Sequence, residues 1–194
     1  MELVAALGRS MGFSFAAGIN LYATIAFLGI ASRFELFAFP ESLQMFDSDL
    51  VIGVSLVLYL VEFTADKIPL VDSMWDSVHI FIRPVGGAII AVISLGEAAP
   101  MVEGLVALLG GLVATGSHLT KASARVAVNT SPEPVSNWIL SLGGDVLIVG
   151  LGYFALVYPV ASLVAVAVAV GAIGLFFATI VRLSWTSFVG GRSK

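Results

Sequence analysis

The chain contains no cysteine. That absence excludes disulfides, thiolate zinc sites, iron–sulfur clusters and thiol nucleophiles together. Charge is nearly as scarce: 11% of the 194 residues are Asp, Glu, Lys or Arg, against about a quarter in a typical soluble domain. Nine Lys+Arg face 13 Asp+Glu, a formal net charge of −4, which removes nucleic acid as a partner. Several enzyme signatures are missing as well: no Gly-x-Ser-x-Gly elbow, no His-Glu-x-x-His, no Walker loop. Neither the paired Asp motifs of alcohol phosphotransferases nor the His-bearing motifs of lipid phosphatases occur.

What is present is apolar. Hydrophobic residues make up 59% of the chain and the mean hydropathy is +1.05. A single domain of this size exposes too much surface to hide that excess from water. A soluble globular enzyme is all but excluded, and a disordered chain with it. An integral membrane protein remains: an all-α, polytopic helix bundle forming one domain over residues 1–194.

Charge-free runs locate the spans, because about 20 apolar residues cross a hydrocarbon core of roughly 30 Å. They fall at residues 10–32, 50–65, 84–96 and 104–119, and in the long stretch beyond Glu133 that Tyr158-Pro159 splits in two. The 84–96 run is short and borrows residues from before Arg83. The expectation is six spans. Arg9, Lys67, Arg83, Lys121, Arg125, Arg182, Arg192 and Lys194 then fall on one side, and only Arg33 falls on the other, among Glu35, Glu41, Asp47, Asp49, Glu97 and Glu103. This bias predicts a bacterial cytoplasmic (inner) membrane protein with both termini cytoplasmic. Residues 1–8 lack the basic region of a signal peptide, so the first helix is expected to be retained. A weak internal repeat pairs residues 54–93 with 110–149, each an apolar helix, a polar stretch, then a Gly-Gly helix start.

The segment 66–84 is the most informative. Pro69 and Pro84 bracket a helix over residues 71–82. At helical spacing Asp72, Asp76, His79 and Arg83 form one polar stripe beside the apolar stripe of Val71, Met74, Trp75, Val78 and Ile82. That pattern predicts an amphipathic or re-entrant cytoplasmic helix. Asp72, Asp76 and His79 offer two carboxylates and an imidazole on one face, a candidate divalent-cation site. The alternative is that Asp72 caps the helix while Asp76 pairs with His79 or Arg83.

A second polar stripe, His118, Lys121, Arg125 and Asn129, continues the fourth span past the membrane. With Asp66, Lys67 and Arg83 it forms a candidate cytoplasmic binding cluster, suited to lipid headgroups or a phosphate-bearing ligand. The sequon at 129–131 is discounted because it is expected to be cytoplasmic. Inside the membrane Asn20 follows Gly18, which permits local unwinding, and Asp145 lies near mid-span if the fifth helix starts near Ser136. Asn20, Tyr22, Thr24 and Asp145 are expected to meet as an intramembrane polar centre, since a buried acid needs donors. Small-residue runs at 8–12, 110–114 and 165–174 fit close helix packing, within one chain or in a homo-oligomer.

Three stretches carry a resemblance: Ala17-Gly18-Ile19-Asn20-Leu21-Tyr22-Ala23-Thr24; Asp66-Lys67-Ile68-Pro69 through Asp72, Trp75-Asp76, His79 and Ile82-Arg83-Pro84; and Ser131-Pro132-Glu133-Pro134 with Ser136-Asn137. The chain resembles a family of bacterial multi-pass membrane proteins that carries only a domain-of-unknown-function label (DUF4126-like). The resemblance implies membrane location and supplies no substrate, reaction or cofactor. A small-solute or ion transporter or channel leads the functional expectations. The alternatives are a non-catalytic membrane scaffold or assembly factor, and a metal-dependent enzyme acting on a lipid or isoprenoid phosphate through Asp72, Asp76 and His79 with Lys121 and Arg125.

Overall fold

In a bilayer every backbone N–H and C=O must be satisfied within the protein, and an apolar chain without strand alternation meets that demand as helix. The computed structural model describes residues 1–37, 39–129 and 134–190, the side chains of 69, 129, 134–137 and 183–190 lying outside the description. No strand occurs among the described residues. The elements are α1 (Glu2–Ile19), α2 (Leu21–Arg33), a 3₁₀ turn (Glu41–Phe46), α3 (Asp49–Ala65), α4 (Pro69–Leu95), α5 (Pro100–Asn129), α6 (Pro134–Val157) and α7 (Pro159–Gly190). Four helical stretches are long and apolar enough to cross a membrane: Leu70–Leu95, Pro100–Val128, Trp138–Val157 and Pro159–Arg182.

The first apolar run does not form one crossing helix. It breaks at Asn20, whose backbone is extended (φ −152°, ψ 107°). The Asn20 N–H closes α1 on the Ala16 carbonyl at 3.0 Å, and its Oδ1 caps α2 by accepting from the Ala23 N–H at 2.9 Å. One residue thus serves both helix ends, its backbone closing α1 and its side chain capping α2. α2 then folds back beside α1. Ile19 lies against Gly144 of α6, whereas the Phe27 ring packs on Gly152, about 12 Å further along α6 toward Val157. That is the end from which α1 came, because Gly12 packs on Ala155 and Gly8 on the Pro159 carbonyl. α1 and α2 form a helical hairpin that enters and leaves at one end of the bundle.

Side-chain contacts order the rest. Arg33 at the end of α2 pairs with Asp47 and, at 2.7 Å, with Asp49 at the start of α3. α3 descends to the other end, α4 returns beside α1, and Gly96 stops it with the positive φ of 78° that glycine tolerates. α5 descends, α6 returns and α7 descends again, with Ser162 beside Gly12. The starts of α1, α3, α5 and α7 therefore share one end of the bundle, and the C-terminal end of α7 points to the other.

α1 is the central post. Its Ser10 and Ser14 hydroxyls donate to the Ala91 and Gly87 carbonyls of α4 at 2.8 and 2.9 Å. Gly110 of α5 lies close enough to Ala91 that an added Cβ would collide. Two of the small-residue runs thus pack within the chain, the geometry such residues permit in a bilayer. In the third, Gly171 and Gly174 face open space.

The stretch at 71–82 is not a separate surface helix. α4 runs through Pro84 without interruption, as membrane helices tolerate proline where neighbouring helices surround it. Gly86-Gly87 and Gly143-Gly144 likewise lie inside α4 and α6 instead of starting helices. The sequon at 129–131 and the 131–134 motif fall largely outside the described residues, as do Arg192 and Lys194.

The hairpin sets a labelling pattern for this cysteine-free chain. Single cysteines replacing Glu2 and Asp49 should react with an impermeant maleimide from the same face of a reconstituted vesicle, and one replacing Lys67 from the opposite face. Reaction of Glu2→Cys together with Lys67→Cys would restore a first helix that crosses.

Candidate functional site

α4 is inside out relative to a helix at a water interface. Val71, Met74, Val78 and Phe81 are exposed, whereas Asp72, His79 and Arg83 are buried. The polar stripe faces the bundle core because the surrounding solvent is hydrocarbon, where a charge is expensive. The stripe of α5 does the same: His118 and Arg125 are 2% and 1% exposed.

These stripes meet the end of α3 and build a buried ionic network. Arg83, with no exposed surface, donates from Nη2 to Glu62 Oε1 at 2.9 Å and lies 3.6 Å from Asp76. Its Nη1 donates to the Gly18 carbonyl at 3.1 Å, the last turn of α1. The same nitrogen meets His118 Nδ1 at 2.5 Å, so that ring nitrogen is an acceptor and carries no proton. Lys121 Nζ bridges Glu62 at 3.2 Å and Asp66 at 3.5 Å. Arg125 holds Asp66 at 2.5 Å and faces Asp72 at 3.7 Å. Four carboxylates share three cations, and Glu62 Oε2 and Asp66 Oδ1 have no hydrogen-bond donor.

His79 belongs to the same buried face. Its Nδ1 donates to the Trp75 carbonyl at 2.8 Å, which leaves Nε2 to accept from the Tyr22 hydroxyl at 3.1 Å. Trp75 stacks on the ring at a centroid distance of 4.7 Å. The proposed ligand trio of Asp72, Asp76 and His79 is thus divided among Arg125, Arg83 and Tyr22. No three His, Asp or Glu side chains among the described residues are arranged to hold a metal ion. The phosphate-binding reading of Lys121 and Arg125 meets the same obstacle, since Glu62 and Asp66 already occupy both cations.

Of the cluster expected to be cytoplasmic, Asp66, Arg83, His118, Lys121 and Arg125 come together. Lys67 stands apart: its ammonium donates to the Phe63 carbonyl at 2.7 Å and sits over the Phe63 and Trp138 rings. Partial burial pushes its pKa below the ordinary lysine value.

The intramembrane group meets only in part. α6 continues through Gly143-Gly144, so Asp145 stands mid-helix and is no cap. Its Oδ2 accepts from the Tyr59 hydroxyl of α3 at 2.9 Å, not from Asn20, Tyr22 or Thr24. Thr24 donates to the Asn20 carbonyl and Tyr22 is engaged by His79. Asn20 and Asp145 instead line one cavity, of about 580 Å³, with Asp66, Lys121 and Ser141. Asp145 and Tyr59 also line a second cavity, of about 320 Å³, with Ala23, Phe27 and Leu56. The larger reaches Val128 near the end of α5, and the smaller reaches Leu36 near the start of α3. Two residues central to this arrangement, Glu62 and Tyr59, were not singled out from sequence. Glu62 did carry a signal, being a lone acid in an apolar span; a tyrosine in such a span carries none.

Removing one member of a buried pair leaves the other uncompensated, a loss of about 3–5 kcal/mol. Arg83→Met is expected to destabilise the detergent-solubilised protein on that scale, and Glu62→Gln with Arg83→Met should recover part of it. A thermal unfolding double-mutant cycle measures the coupling. Additive losses would mean that the pair carries no mutual energy.

No curated protein and no solved structure matches the chain significantly. A family match does exist, to the domain of unknown function DUF4126, and it covers residues 7–179. Every residue of the network lies inside that span, and the chain belongs to this family.

Proposed function

We propose that the protein is a small transporter that passes a small solute or ion across the bilayer by way of Asp145. One observation carries this reading: Asp145 stands on the wall common to two cavities that extend toward opposite ends of the bundle. The Tyr59–Asp145 hydrogen bond, linking α3 to α6, lies at the junction. A helix hairpin broken at mid-depth beside a charged cluster is also the construction that secondary transporters use for sites near the midplane. A structural aspartate needs no access to water from either end.

The proposed orientation puts the end bearing Lys67, Lys121, Arg125 and Arg182 in the cytoplasm of a bacterial inner membrane. Because α1 and α2 enter and leave from one end, the proposed arrangement has five crossings, the four long apolar stretches and the shorter α3 of 17 residues. The start of α1 then lies on the outer side and the end of α7 in the cytoplasm, in place of both termini inside.

Uptake of a broad solute panel into proteoliposomes tests the function. Asp145→Asn should reduce uptake of the responding solute to background while the folded protein keeps its thermal stability. A variant that transports at the parental rate would remove Asp145 from the pathway, and a panel without any uptake would favour the scaffold reading.

A further inference from the structure

We infer that the cavity between α5 and α6 binds a small organic ammonium ion with an apolar body, Asp145 serving as its counter-ion. That this ion is the transported solute rests on the proposed transport function; the binding site itself does not.

The charge of the cavity points this way. Asp145 lies near the middle of α6, and among the described residues no basic group forms an ion pair with it. Its neighbour across the gap is a neutral phenol. An unpaired carboxylate at membrane depth costs free energy that a bound cation offsets. The other acid on the wall, Asp66, is 4% exposed and has an oxygen without a donor. Lys121 also lines the cavity, but Glu62 and Asp66 hold it. An anion entering here would meet carboxylates and no spare cation. An ammonium brings the charged N–H donor that Asp145 is not given by any ion pair among the described residues.

The rest of the lining argues for an apolar body. Phe15, Ile19, Ile139, Leu140 and Leu147 form the walls, so a hydrated metal ion would find few oxygens to replace its water. The volume of about 580 Å³ falls within the range of small-molecule sites, roughly 300–1,000 Å³. Gly143 on the wall opens onto free space, with nothing within 4 Å of an added Cβ.

Calorimetric titration of the full chain in nanodiscs, against empty nanodiscs, distinguishes the cases with three probes of equal chain length: hexylammonium, hexanol and hexanoate. Hexylammonium should bind saturably, about tenfold or more tighter than hexanol, and hexanoate should not bind. Asp145→Asn should abolish the preference for the amine while hexanol binding persists, and Asp145→Glu should keep it. Gly143→Leu, which fills the cavity without forcing the backbone, should weaken hexylammonium and hexanol alike. Equal binding of all three probes would identify a groove for acyl chains and overturn the proposal, as would absence of hexylammonium binding or indifference to Asp145→Asn. If hexylammonium binds as expected yet is not taken up by proteoliposomes, the ammonium is not the transported solute and the site stands.

Discussion

A single buried guanidinium ties the bundle together. Arg83 rises from the middle of α4 and reaches the last turn of α1, the end of α3 and the polar stripe of α5. Nothing about arginine favours that position except its partners. In hydrocarbon the charge must be compensated within hydrogen-bond reach, and Glu62, fully buried on α3, supplies the compensation. Once that pair is fixed, the depth of α3 against α4 is set, and the Gly18 carbonyl fixes how far α1 can penetrate. A carbonyl at a helix C-terminus lacks an intrahelical donor, and Arg83 provides it. The break at Asn20 is thereby anchored from below.

The consequence is a bundle whose centre is a hairpin instead of a span. α1 stays thin along the faces it presents to α5, α6 and α7, with Gly8, Gly12 and Gly18 in places where a Cβ would strike a neighbouring helix. Its serines hydrogen-bond to the α4 backbone. Close packing of this kind replaces the hydrophobic effect, which does not act between helices already immersed in lipid. The tip of the hairpin then lies beside the ionic network, and the larger cavity opens next to it along α5 and α6.

The distribution of charge within this frame is uneven in a useful way. Toward α4 the carboxylates find cations: Asp76 faces Arg83, Asp72 faces Arg125, and Glu62 and Asp66 share Lys121. Toward α6 the compensation runs out, and Asp145 has a phenol for a partner. The paired region is suited to holding helices in place, since breaking it exposes charge to lipid. The unpaired region borders the cavities, where a guest or a change of hydrogen bonding alters the energy. The two groups of acids thus differ in their degree of neutralisation.

Much of this was legible in the sequence, and the remainder has a definite physical origin. Composition fixes the solvent of the chain as lipid, and the DUF4126 match agrees with the resemblance read from the Asn20 and Asp66–Pro84 segments. Helical spacing placed Asp72, Asp76, His79 and Arg83 on one stripe, and His118, Lys121 and Arg125 on another. Asn20 was recognisable as a point of unwinding because glycine precedes it. Spacing, however, says which residues share a face and not which way the face turns. The stripe at 72–83 could meet water or meet counter-charges, and only the placement of Glu62 and Arg125 decided for the interior. Hydropathy likewise measures the length of an apolar run without its direction, so residues 10–32 read the same as one crossing or as two legs of a hairpin. That choice was made by contacts far apart in sequence, Phe27 on Gly152 and Arg83 on Gly18, which no local pattern encodes.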